Sequence, residues 1–267
     1  MSYPRRTVRD VREAVEVVAR PGYAVSVVEC ADDHTGWSPA EVSSAYRMVL
    51  VRRGRFRRRA GGVVADADRT VAYLAAPGDE ECFAHPAGGD TCTAVSFGAE
   101  LWSRLAGDRP VRPAVYVDGA LELAHRRAVA SAADPDYALA EELLVLVRRA
   151  VTRSTGSTRD DRELVARARE AIGSDEPAAA GLFPLAEALG VSPYRLSRAF
   201  PRELGVSVTR YRNRVRVGRA LERLEAGERE LAVLAADLGF ADQAHLTRTV
   251  REHTGTTPGV MRRLLAN

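Results

Sequence analysis

The chain has 267 residues, 46% hydrophobic and 28% charged, ordinary values for a globular protein with room for two cores. No run of about 18 apolar residues occurs, which excludes a membrane-spanning helix. The charged stretch 1–12 lacks the apolar segment of a secretory signal, so a cytoplasmic location is expected. The net charge of +3 is unevenly spread. Residues 1–180 carry 25 arginines against 27 acids, a balance of −2, and residues 181–267 carry 14 arginines against 9 acids, a balance of +5. The basic end is the end to examine for phosphate contacts.

In chain order, Val8, Val11, Val15 and Val18 recur every three or four residues and predict a first amphipathic helix. Strand-like runs follow at 23–29, 46–52, 69–75, 82–85, 91–97 and 111–117, separated by Gly, Pro and Asp, and point to a small sandwich or barrel. A short helix is expected near 100–105. The run Arg52-Arg53-Gly54-Arg55-Phe56-Arg57-Arg58-Arg59 reads as a hairpin. If Phe56 and Arg58 point inward together, one arginine reaches the interior. Trp37 and Trp102 read as packing residues.

From Gly119 the period becomes helical. Leu121, Ala124 and Ala128 share a face, as do Leu139, Leu143, Leu146 and Val147. A third helix carries Leu164, Ala168 and Ile172. This defines a sensor-like domain at 1–118, a helical segment at 119–174 suited to dimerisation, a linker at 174–181 and an all-helical domain at 182–267.

The last domain writes one pattern twice, 50 residues apart. Leu196, Arg198 and Gly205 recur as Leu246, Arg248 and Gly255, and each copy follows a short apolar helix ending at Gly190 or Gly239. Helix, glycine turn and second helix is the arrangement that places a helix in the DNA major groove. Ser192-Pro193 and Asp242 are the expected helix starts. At 100° per residue, Leu196 and Phe200 turn inward, while Tyr194, Ser197 and Arg198 turn outward. The second copy presents Gln243, Thr247 and Arg248, with His245 at the flank. Arginine can read guanine bidentately and Gln243 adenine. Residues 207–226 read as one connecting helix bearing Arg210, Arg212, Arg214, Arg216 and Arg219, of which some can face phosphate.

These residues resemble the AraC/XylS-type transcription regulators. The likeness covers Leu182 to Arg263 and runs through Ala235, Gly239-Phe240, Asp242-Gln243, His245-Leu246, Arg248, Gly255, Thr257-Pro258 and Arg262. It implies an α+β multidomain protein with an N-terminal cupin-like (jelly-roll) β-barrel, a helical linker and an all-α double helix-turn-helix. It also implies a non-enzymatic, sequence-specific regulator. Its partners would be double-stranded DNA, a small-molecule effector, a second copy in a homodimer, and RNA polymerase. The chain departs from the family pattern in three places. Pro201 predicts a kink or early end in the first reading helix, Ala244 removes a polar contact, and Met261 stands where an aromatic is usual.

Cys30, His34, His85 and Cys92 form a candidate tetrahedral zinc set, and would make the input a metal or redox signal. A four-residue hairpin loop at 86–89 would pair His85 with Asp90 and Phe83 with Cys92, with Cys82 on the other face. The alternative is that the cysteines are small buried hydrophobes. A cytosolic disulfide is disfavoured. The missing His-x-His pair argues against a cupin-type metalloenzyme.

Overall fold

The computed structural model describes residues 6–9, 12–31, 35–106, 114–151 and 159–265. The chain divides into two compact units, residues 1–117 with 121–154, and residues 118–120 with 155–267. No helix among the described residues is long and apolar enough to cross a membrane.

The first unit contains β1 (Arg6–Arg9), β2 (Arg12–Arg20), β3 (Tyr23–Cys30), β4 (Glu41–Val42), β5 (Tyr46–Arg53), β6 (Phe56–Ala60), β7 (Val63–Ala67), β8 (Val71–Ala75), β9 (Glu80–Ala84), β10 (Asp90–Phe97) and β11 (Val115–Tyr116). One sheet runs β1-β2-β3-β10-β5-β8-β11 and the other β4-β9-β6-β7, with antiparallel pairing throughout. Side chains alternate between the faces of a strand. On β5, Val49 and Val51 enter the core between the sheets with Phe56, Phe83, Tyr73 and Cys92. Met48 and Leu50 enter a second core on the opposite face. Burial on both faces explains why β5 is a continuous apolar run. Together the sheets form a double-sheet sandwich, two stacked sheets rather than the closed barrel expected.

Three helices contribute to the second core: α1 (Ala99–Ala106), α2 (Gly119–Ala130) and α3 (Ala138–Val151). Trp102 of α1 stacks on Tyr46 at 4.9 Å, and Leu121, Leu139, Leu143, Leu146 and Val147 fill the layer behind it.

The N-terminal segment corrects the sequence reading. It forms strands β1 and β2, not a helix. The three-residue step from Val15 to Val18 arises from a bulge: Val15 pairs with Val27, Glu16 with Ser26, and Val18 with Val25. The extra residue Val17 restores Val15 and Val18 to one face, and so imitates a helical spacing. Four valines in β2 and the segment just before it also favour a pleated strand. The hairpin at 86–89 is corrected too. Strand β9 pairs with β4 and β6, and β10 pairs with β3 and β5, so residues 85–89 cross from one sheet to the other.

The second unit contains α4 (Arg159–Gly173), α5 (Leu182–Ala188), α6 (Pro193–Leu204), α7 (Val208–Glu225), α8 (Leu231–Asp237), α9 (Gln243–Thr254) and α10 (Pro258–Leu265). The segment 119–174 is therefore shared between the two units, because the apolar face of α4 packs on α6 and α7. Val165, Ala168 and Ile172 of α4 are buried. The stretch 174–181 contains a 3₁₀ turn, Pro177–Ala180, packed on α4 and α5.

Candidate nucleic-acid interface

Each half of the second unit is built in the same way. The turn after α5 is made by Gly190 at φ +69°, and the turn after α8 by Gly239 at φ +68°. This left-handed backbone is open to glycine and costly for side-chain-bearing residues. At Gly239 a Cβ would also lie 2.7 Å from Arg216 Nη2. The following helix is capped in both halves: Ser192 Oγ accepts from the Arg195 amide (3.2 Å) and Asp242 Oδ1 from the His245 amide (2.6 Å). Both helices end at a glycine of positive φ, Gly205 and Gly255, whose amides donate to the carbonyls of Pro201 and Arg251.

Burial repeats with the same offset. Leu196 and Phe200 are fully buried, and so are Leu246 and Val250. Tyr194 and Arg198 are exposed and Ser197 is half-buried; Gln243 and Arg248 are exposed and Thr247 is half-buried. The cause is the amphipathic pattern: the apolar stripe of α6 is held by α4 and α5, and Phe200 meets Tyr211 of α7 edge-on at 5.4 Å. The opposite stripe is left to solvent.

On α6, Arg198 Nη1 donates to Tyr194 Oη (3.2 Å) and the guanidinium lies 5.5 Å from that ring, while Ser197 Oγ donates to the Tyr194 carbonyl. On α9, the His245 ring packs edge-on against Phe240, and its Nδ1 accepts from the Ala241 amide at 3.3 Å. That bond places a neutral ring's proton on Nε2. His245 thus braces the turn, and Gln243, Thr247 and Arg248 form the outward group. Pro201 lies inside α6, which continues unbroken to Leu204, so the early end expected there does not occur. What proline removes is the amide that would bond the Ser197 carbonyl.

The connecting helix sorts its arginines. Arg214 is buried, Arg216 lies over the Phe240 ring at 5.3 Å, and Arg219 bonds Asp175 and the Gly173 carbonyl. Burial, with Arg212 and Arg219 nearby, lowers the pKa of Arg216. Arg210 is exposed and Arg212 is half-buried.

Residues 185–264 match the family model described as a helix-turn-helix domain. The C-terminal unit holds a helix-turn-helix domain, built as two consecutive helix-turn-helix pairs. The arabinose operon regulatory proteins of Salmonella typhimurium (strain LT2) and Escherichia coli (strain K12) are each 32% identical to it over 78 residues, or 29% of this chain. Those residues span 28% and 27% of the length of those two relatives. Among solved structures, ToxT from Vibrio cholerae O395 is similar over 92% of this chain and 99% of its own, at 12% identity and TM-score 0.38.

In the first unit, the structure gathers part of the sequence-expected metal set and adds a residue to it. Ligand atoms of Cys30, His85 and Asp90 lie within 4.8 Å of one another. His85 Nε2 is 3.0 Å from Asp90 Oδ1, and the Cys92 thiol donates to Asp90 Oδ2 at 2.9 Å. His34 lies outside the described residues. Burial, then the neighbouring Asp90 carboxylate, push the Cys92 thiol far above its ordinary range. Sequence reasoning reached Asp90 only as a strand partner of His85. The His-x4-Asp spacing was the available signal for it.

The arginine run is not the expected hairpin: Arg52 and Arg53 end β5 in one sheet, and 56–59 lie on β6 of the other, with one cation turned inward. Phe56 and Arg58 are both buried. Arg58 Nε donates to Glu81 Oε1 at 2.6 Å and its guanidinium stacks 4.6 Å from the Tyr73 ring. Arg47 completes the group by pairing with the other oxygen of Glu81. Arg57 and Arg59 lie against Trp37.

Proposed function

We propose that this chain is a sequence-specific DNA-binding transcription regulator controlled through its cupin-like unit. The observation that carries the reading is the duplicated outward face on α6 and α9. Ser197 and Arg198 recur as Thr247 and Arg248, 50 residues on and behind two matched caps, and Tyr194 on α6 and Gln243 on α9 add to the two outward faces. Hydroxyl, amide and guanidinium groups on a helix face are the chemistry that reads base edges in the major groove. Two such faces on one chain can serve two successive groove segments. His245 holds the α9 entry, and Arg210 and Arg212 of α7 are available to phosphate.

Binding DNA, rather than turning over a substrate, is the role the helix-turn-helix domain supports, and in this reading the protein works in the cytoplasm with the chromosome. The sensor would act by population shift, with a small-molecule effector favouring one arrangement of two DNA-binding units. A homodimer is the second element of the reading: α3 turns Leu144 (49% exposed) and Val145 (41% exposed) to solvent beside its buried stripe. Bound to an operator, such a dimer can recruit or block RNA polymerase.

Genome-wide mapping of sites bound by the native protein, followed by anisotropy titration on the recovered duplex, tests the reading. A shared sequence motif bound at least about a thousandfold more tightly than scrambled DNA is expected. Recovery of no shared motif, with equal affinity for all duplexes, overturns it.

A further inference from the structure

We propose that the first unit carries a metal site formed by Cys30, His85 and Asp90, suited to a borderline divalent ion such as zinc. The proposal goes beyond the DNA-binding reading and stands independently of it.

The three residues come from three strand ends. Cys30 closes β3, His85 follows β9, and Asp90 opens β10. Asp90 is directly opposite Cys30 in the β3–β10 register, so their side chains share one face. His85 arrives from the other sheet through the turn in which the Gly88 amide bonds the His85 carbonyl at 3.2 Å. The corner is rigid. A Cβ on Gly89 would sit 2.3 Å from the Cys30 carbonyl oxygen, and a Cβ on Gly54 would sit 2.4 Å from that of Gly89 and 2.9 Å from Asp90 Cα. No side chain larger than hydrogen fits at either position, and the close approach holds Asp90 against Cys30.

A second observation points to a ligand. Asp90 Oδ1 is buried and accepts no hydrogen bond, although His85 Nε2 is 3.0 Å away. Leaving a buried carboxylate oxygen in this state is costly, because it has lost its water without gaining a donor. An imidazole nitrogen and a carboxylate oxygen that face each other without a hydrogen bond, with a thiol beside them, can be bridged by one ion. Sulfur, imidazole nitrogen and carboxylate oxygen are the donors zinc accepts. Tetrahedral zinc places such atoms about 3.3–3.7 Å apart, given bonds of roughly 2.0–2.3 Å. Side-chain rotations from the 4.8 Å envelope would close the set. The Cys92 thiol on Asp90 Oδ2 then serves to position the carboxylate. Cys30 is half-buried, so the ion has an entry path. Because His85 and Asp90 belong to different sheets, the ion would tie the two sheets together. An input signal can act through that link.

The full chain, purified without a metal-affinity tag and stripped with chelator, is titrated with cobalt(II) and then zinc. One cobalt per chain, with a thiolate charge-transfer band and tetrahedral visible bands that zinc abolishes, is expected. Zinc should also raise the thermal midpoint of the wild type, reversibly on chelation. Cys30→Ser should abolish the charge-transfer band, and His85→Gln and Asp90→Asn should weaken zinc by at least tenfold. Cys92→Ser should keep the band, with affinity falling about tenfold. Absence of a band together with an unmoved midpoint overturns the site. A band that survives Cys30→Ser and disappears in Cys92→Ser overturns the assignment of ligands. DNA affinity is measured separately, so failure here leaves the DNA-binding reading to its own test.

Discussion

Arg198 and Arg248 occupy equivalent positions on α6 and α9, yet only Arg198 is braced. Its Nη1 bonds Tyr194 Oη at 3.2 Å, whereas the residue matching Tyr194 in the second copy is Ala244, which has no hydroxyl to offer. A pre-oriented arginine loses less freedom on binding than an unbraced one. Arg248→Ala should weaken operator binding by about 1–3 kcal/mol, roughly 5- to 150-fold, if it reads a base. Anisotropy at fixed salt on specific and scrambled duplexes checks this. An equal loss on both would make Arg248 a phosphate anchor. Tyr194→Phe, which removes only the brace, should cost less than Arg198→Ala.

The two reading helices should depend on their caps. Asp242→Ala and Ser192→Ala each remove a side-chain acceptor for an amide of the first turn. Each should lower stability by about 1 kcal/mol in urea unfolding, and each should weaken DNA binding. Unchanged unfolding midpoints would show that packing against α5 and α8 alone defines the helix starts.

The first unit should be sensitive at Glu81. Its fully buried carboxylate lies between Arg58 and Arg47, and Arg58 is itself buried. Glu81→Gln would remove the closest counter-charge of buried Arg58 and leave it only Asp79, 3.7 Å away, at a cost of roughly 3–5 kcal/mol. Calorimetry should show a lowered transition for the first unit and an unaltered one for the second.

Acid should destabilise both units. Burial, with Arg52 nearby, lowers the pKa of His125 to about 4, and burial with Arg210 and Arg214 lowers that of His253 to about 4. Glu122 opposes the shift at His125, as Asp118 and Glu252 do at His253. Both rings stay neutral in the folded protein below the pH at which an unfolded histidine, near 6.5, takes up a proton. The unfolded state therefore binds more protons, and stability present above about pH 6.5 is lost as pH falls toward 4. The slope approaches 1.4 kcal/mol per pH unit for each histidine. Denaturation midpoints between pH 8 and 4.5 should show it, and His125→Gln and His253→Gln should each flatten the curve. Parallel curves for wild type and variants would rule these histidines out as the source.

The helical half was largely legible in the chain. Leu139, Leu143, Leu146 and Val147 are buried as their spacing demands, and so are Leu196, Phe200, Leu246 and Val250, because a 3.6-residue period maps directly onto one face. The inward turn of Arg58 was also legible, from its alternation with Phe56. The β half was less so. A bulge gave β2 a helical spacing, and nothing local tells that residues 85–89 leave one sheet for the other.

Local chemistry determines the duplicated domain. Its caps, glycine turns and amphipathic stripes each act within a few residues, so the reading helices and their outward side chains follow from the sequence by itself. Tertiary structure alone decided that α4 joins the helical unit, that Arg58 meets Glu81, and that Cys30, His85 and Asp90 converge. Those contacts join residues from 5 to 60 positions apart. They depend on strand register and on which sheet a strand enters, which nonlocal packing sets.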